Sequence, residues 1–214
     1  MGTFPENLLS GYRNFIDGRF STERERYREL AREGQKPRTL VIACCDSRAA
    51  PETIFDSPPG ELFVVRNVAN LVPPYGPDGK YHGTSAALEY AIHSLEVTTI
   101  LVLGHGRCGG IQAALDPSAG PLSAGDFIGK WMSLLEPVAG AVSSNELLTT
   151  SERQTALERI SIRHSIANLR SFPRIAELEA EGKLQVCGAW FDILSGELWI
   201  MDPETGDFER PEAD

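Results

Sequence analysis

Two short stretches carry most of the reactive side chains: Ala43-Cys44-Cys45-Asp46-Ser47-Arg48 and Gly104-His105-Gly106-Arg107-Cys108-Gly109-Gly110. Cys44, His105 and Cys108 supply two thiolates and one imidazole. That is a donor set that catalytic zinc accepts, with a fourth position left open for water. His105 and Cys108 are three apart at the end of an apolar run, where a strand turns into a helix, so both can reach one ion. A helix N-terminus at that point also favours thiolate over thiol. A closed structural site would want a fourth Cys or His, and His82, His93 and His164 have no ligand-like spacing to one another. The other two cysteines read as small packing residues. Cys187 sits inside an apolar run, and Cys45 points away from Cys44 because successive strand residues face opposite ways.

Other chemistries fit these residues less well. Gly104-His-Gly106-Arg-Cys-Gly109 matches the dinucleotide pattern G-x-G-x-x-G, but that motif needs an acid about 20 residues on, at the end of the next strand. Here that region is Gly120–Gly129, a loop with Asp126 at a helix cap. A Cys-x5-Arg phosphatase loop fails, since Ala50, Pro51 and Ala114 lie six after Cys44, Cys45 and Cys108. No P-loop and no G-x-S-x-G is present.

The elements that must position these clusters alternate between strand and helix. Four continuous apolar runs, Thr39–Cys44, Leu62–Val65, Thr99–Leu103 and Leu184–Ala189, read as strands of a parallel sheet buried on both faces. Glu197–Met201 follows Ser195-Gly196 as an antiparallel hairpin partner of the strand before it. Glu6–Arg32 reads as one amphipathic helical arm. Thr84, Asp126 and Ser151 are candidate N-caps for helices over Ser85–Leu95, Phe127–Val142 and Glu152–Leu169. Gly76–Gly83 and Asp116–Gly125 read as loops. The expected fold is α/β: a mostly parallel central sheet with an antiparallel edge strand, flanking helices and an N-terminal helical arm. In open sheets of this kind ligands bind beyond the carboxyl ends of the strands, where the strand order reverses. Both reactive stretches follow strand ends, so they are expected to face each other.

Composition bounds the partners. The chain has 214 residues, 42% apolar and 23% charged, which fits one ordinary globular domain. We expect an arm over 1–34 and a core over 35–205. The net charge of −10, with scattered basic residues, argues against nucleic acid and anionic membrane as partners. Met1–Ser10 has no apolar stretch of signal-peptide length, and nowhere do about 18 apolar residues run together. Four cysteines are too few for a disulfide scaffold in a chain of this size, so reduced thiols in the cytoplasm are the expectation.

Cys44-x-Asp46-Ser47-Arg48 followed by His105-x-x-Cys108 resembles the β-class carbonic anhydrases. The resemblance extends to Gly60–Asn70, Gly83–Tyr90, Leu169–Phe172 and Gly188–Gly196, and covers roughly residues 6 to 205. It implies one zinc ion per chain on Cys44, His105 and Cys108, and reversible hydration of carbon dioxide by zinc-bound hydroxide. It implies that Asp46 accepts a hydrogen bond from that hydroxide, and that Arg48 keeps Asp46 ionised and off the metal. Gly109 would offer its backbone N–H to the developing bicarbonate. Gln35, Phe63, Val68 and Tyr90 match pocket positions of the plant-like branch, with Gln35, Phe63 and Tyr90 coming from a neighbouring subunit. That makes the active unit a homodimer or a dimer-based higher oligomer. A relative acting on another heterocumulene such as carbon disulfide, or a non-catalytic zinc protein, is the alternative. Some members close their site through the residue matching Asp46, aided by bicarbonate held on a Trp, Arg and Tyr. The matching positions here are Val41, Arg66 and Phe191, so the expectation is an open site. No His matches a proton-shuttle position.

Overall fold

A computed structural model of the chain describes residues 4–116, 120, 122 and 125–211. Among these residues six strands form one sheet: β1 (Thr39–Cys44), β2 (Leu62–Asn67), β3 (Thr99–His105), β4 (Gln185–Phe191), β5 (Leu198–Met201) and β6 (Phe208–Glu209). Their order is β2-β1-β3-β4-β5-β6. The first four are parallel, and β5 and β6 are each antiparallel to the strand before them. The expected hairpin partner is therefore present as β5. The two-residue β6 was not expected and lies past residue 205. From β1 the chain goes outward to β2 and then returns past β1 to β3, so the order reverses between β1 and β3.

Each of the four expected strands is present, with shifts of one to two residues at some ends. β1 is buried from Leu40 onward, with Leu40 and Ile42 on one face and Val41 and Ala43 on the other. β2 differs from the expectation: all six of its residues are only half-buried. It lies at the sheet edge, where a strand keeps one open side.

The expected single helix over Glu6–Arg32 is two helices, α1 (Glu6–Asp17) and α2 (Arg19–Glu33), meeting at Gly18. Glycine is the poorest helix former after proline, and the break falls on it. Two arginines fix the arm to the core: Arg19 Nη2 donates to the Ser57 carbonyl at 3.0 Å and Arg26 Nε to that of Pro59 at 2.7 Å.

Among the described residues seven helices follow: α3 (Pro51–Ile54), α4 (Gly83–His93), α5 (Gly109–Leu115), α6 (Phe127–Met132), α7 (Glu136–Ser143), α8 (Thr150–Leu169) and α9 (Pro173–Ala180). Thr84 is not a cap. It lies in the first turn of α4, where it is buried and its hydroxyl accepts from Asn67 Nδ2 at 3.3 Å. Asp126 does cap α6, accepting from the Gly129 N–H at 3.1 Å. The helix expected to run on to Val142 is interrupted by a 3-10 turn over Ser133–Leu135. Pro137 has no N–H to continue the α-helical ladder. Ser151 is inside α8; the cap is Thr149, which forms a reciprocal capping box with Glu152. The loop expected over Asp116–Gly125 lies in part outside the described residues. Among the described residues no helix is long and apolar enough to cross a membrane.

The long helix α8 crosses β3 and β4, burying Ile162, Ile166 and Leu169 against Leu40, Ile100, Val102 and Val186. Two glycines set how close it comes. A Cβ at Gly104 would stand 2.7 Å from Ile162 Cδ1, and one at Gly188 would stand 2.7 Å from Ile162 Cγ2. Without those side chains α8 settles directly on the sheet beside the carboxyl end of β3.

Candidate metal centre

The sheet brings the two reactive stretches together at the switch point. Cys44 is the last residue of β1 and His105 the last of β3. Arg107 adopts φ 57, in the left-handed region, and so turns the chain sharply. Cys108 follows as the residue before α5. Cys44, His105 and Cys108 are 5%, 1% and 2% exposed, and their donor atoms all lie within 4.8 Å of one another.

Three features fit this set to zinc. The two sulfurs are 3.9 Å apart. Sulfurs held at the usual zinc–sulfur distance in a tetrahedral site stand about 3.8 Å apart. His105 Nδ1 donates to the Gly106 carbonyl at 2.9 Å, which leaves Nε2 as the lone-pair nitrogen. That Nε2 is buried and has no hydrogen-bond partner, an orphan that a metal would satisfy. The thiols report the same crowding. The Cys108 hydrogen bond, against the effect of burial, brings Cys44 down to about 4, while Cys108 is pushed up by that bond and by burial. Two sulfurs this close resist both becoming thiolate without a cation between them. Cys44 Sγ also accepts the Ala69 N–H at 3.3 Å, from a 3-10 turn over Val68–Asn70.

Asp46 stands beside the cluster. Its Oδ2 is 3.9 Å from His105 Nε2. Arg48 grips it through Nε to Oδ1 at 2.9 Å and Nη2 to Oδ2 at 2.7 Å, with its backbone N–H adding a third bond at 3.0 Å. These bonds hold the Asp46 carboxyl well below the usual carboxylate range. Arg66 donates to the Cys44 carbonyl at 2.8 Å and the Asp46 carbonyl at 2.6 Å, which ties the cluster's first loop to β2.

The remaining expected residues divide. Val68 heads the turn that contacts Cys44 and lines a cavity of about 790 Å³ together with Cys45, Asn67 and Trp131. Gly109 opens α5 beside the cluster, and the space its missing Cβ would take is open. Phe63 and Tyr90 are not brought to this chain's own cluster, and Gln35 is an exposed residue ahead of β1. Phe63 stacks on Tyr90 at 5.8 Å between ring centroids. It lies four residues before Asn67, the strand partner of Cys44, hence about 13 Å away along β2. Cys187 is half-buried, and its Sγ faces the Ile100 carbonyl at 3.6 Å. Cys45 is exposed rather than packed, because β1 has ended one residue earlier. Two residues of α8 that the sequence reading passed over, Gln154 and Glu158, touch the Cys108 backbone.

A family model described as Carbonic anhydrase matches residues 39–198. The chain is 36% identical over 205 residues to β-carbonic anhydrase 3 of Arabidopsis thaliana, covering 94% of this chain and 78% of that one. Among solved structures it resembles the β-carbonic anhydrase CcaA at 32% identity and a TM-score of 0.89, covering 97% and 92% of the two chains. It also resembles a tetrameric β-carbonic anhydrase of Sordaria macrospora at 29% identity and a TM-score of 0.78, covering 95% and 98%. A Cys2His zinc centre at the switch point of a mostly parallel sheet, and these likenesses along nearly the whole chain, place the chain in the β-carbonic anhydrase family.

Proposed function

We propose that the chain catalyses the reversible hydration of carbon dioxide to bicarbonate and a proton at the Cys44–His105–Cys108 centre. The observation that carries this reading is the buried, unpartnered His105 Nε2 set against two sulfurs 3.9 Å apart. When bound there, zinc supplies a Lewis acid that makes hydroxide available at neutral pH, the pKa of its water falling to about 7.

The chain's own residues do the rest. Asp46, ionised and clamped by Arg48, has lone pairs left over beside the cluster. Its Oδ2 accepts a hydrogen bond from the attacking oxygen and fixes that oxygen's orientation toward carbon dioxide. The Arg48 clamp keeps the same carboxylate from swinging inward. Val68 walls the approach with apolar surface, and the Gly109 N–H meets the negative charge that develops on bicarbonate.

The active unit is a homodimer or an assembly of dimers, with Gln35, Phe63 and Tyr90 completing the pocket of a neighbouring copy. Two features support this. Edge strand β2 is half-buried along its whole length, and no residue of α1 is buried, with Phe4, Leu8 and Tyr12 exposed on or beside it. One of the similar structures is also described as tetrameric. The test is a substrate panel on protein of known zinc content. Carbon dioxide should be hydrated and carbon disulfide left unchanged; turnover of carbon disulfide alone would refute the reading.

A further inference from the structure

Helix α8 lies behind the metal centre, and two of its side chains hold one residue of that centre by its backbone. The Cys108 N–H donates to Glu158 Oε1 at 3.0 Å, and Gln154 Nε2 donates to the Cys108 carbonyl at 3.3 Å. Side chains four apart on a helix share a face, so Gln154 and Glu158 meet Cys108 together. The second carboxylate oxygen, Glu158 Oε2, accepts the Trp190 indole N–H at 3.1 Å. Glu158 is 2% exposed. A carboxylate is costly to bury unless hydrogen bonds satisfy it, and a plain packing position on α8 would be better filled by leucine. The nearby cation is indirect: the Arg159 guanidinium lies 4.6 Å from the Trp190 ring centroid and 4.7 Å from that of Trp199.

The location explains why such a residue is needed. Cys108 sits between Arg107, in the left-handed region at φ 57, and the first turn of α5. Its sulfur direction depends on how that single linking residue is turned. We infer that Glu158, assisted by Gln154, is a positioning residue for Cys108, and that Trp190 acts through Glu158. The inference rests on Cys108 being a zinc ligand. Groups that orient metal ligands in this way typically cost about 10–100-fold in metal affinity when lost.

Glu158→Gln tests it. The amide keeps the shape but replaces one of the two acceptor oxygens by an NH2 donor, so one of the two N–H groups, each now on its own oxygen, loses its acceptor. Trp190→Phe keeps a ring and removes only the indole N–H. Zinc affinity is measured by chelator competition, and ligand geometry by the thiolate-to-cobalt charge-transfer band of the cobalt-substituted protein. Glu158→Gln should weaken zinc about 10–100-fold and shift that band. Trp190→Phe should do less in the same direction, and the double variant should lose no more than Glu158→Gln alone. Should Glu158→Gln fail to fold, Gln154→Ala carries the test, with a smaller loss of zinc affinity expected. Wild-type zinc affinity and spectrum in folded Glu158→Gln, or in Gln154→Ala where that variant carries the test, would overturn the inference; so would additive losses in the double variant. Wild-type protein that holds no zinc would instead overturn the ligand assignment itself.

Discussion

Arg48 closes on Asp46 from two sides, Nε on Oδ1 at 2.9 Å and Nη2 on Oδ2 at 2.7 Å, while Nη2 also donates to the Arg107 carbonyl at 3.3 Å. The guanidinium thus joins the loop after β1 to the turn after β3 without touching a metal ligand's side chain. Its planar fork suits a carboxylate in a way an ammonium does not.

Arg48→Ala should therefore lower carbon dioxide hydration by at least tenfold while most of the zinc stays bound. Parallel metal analysis and rate measurement on one preparation check this. Zinc lost in proportion to activity would mean that Arg48 supports the metal site rather than Asp46.

Replacement of the ligands should behave differently. Cys44→Ser, His105→Ala and Cys108→Ser should each lose zinc and activity together, because three protein donors leave no spare. Cys45→Ala and Cys187→Ala should keep both, Cys45 being exposed and Cys187 facing the Ile100 carbonyl. Zinc content per chain across the five variants decides it, and loss of zinc in Cys45→Ala would reassign the thiol.

The site should stay open at neutral pH. A bicarbonate ion held on Val41, Arg66 and Phe191 would meet two apolar side chains and a guanidinium already donating to the Cys44 and Asp46 carbonyls. A buried anion with so few partners is costly. In a crystal structure near pH 7.5, Asp46 should remain on Arg48. An Asp46 oxygen about 2.0–2.2 Å from zinc would show closure.

Much of this site was legible in sequence because its parts are local. Each ligand ends or closely follows a β-branched run, and the reversal of strand order brings two such ends together. Glu158 was not legible. It sits in a charged helical stretch beside Arg153 and Arg159, and only the packing of α8 against Gly104 and Gly188 turns that one acid inward. The α8 cap was missed for another reason. Thr149-x-x-Glu152 is a capping-box spacing, but Ser151, nearer the apolar residues, also qualified. The distance from Phe63 to the cluster was equally hidden, since it depends on register along β2.

That cap gives a stability prediction with a pH signature. Hydrogen bonds from Thr149, its side chain first, lower the Glu152 carboxyl pKa. A lowered folded-state pKa stabilises above the ordinary carboxylate pKa, and that contribution fades as pH falls through the folded value. Thr149→Ala should cost about 1 kcal/mol at pH 7, and less at a pH low enough to protonate Glu152. Denaturant melts at the two pH values measure the difference.

Stopped-flow hydration of carbon dioxide, on samples loaded with graded zinc, tests the central claim most directly. The rate should rise in proportion to bound zinc and saturate at one ion per chain. It should also increase with pH as a single proton is lost near neutrality. A fully loaded protein with no rate above the buffer, or a rate unchanged when zinc is removed, would contradict the account.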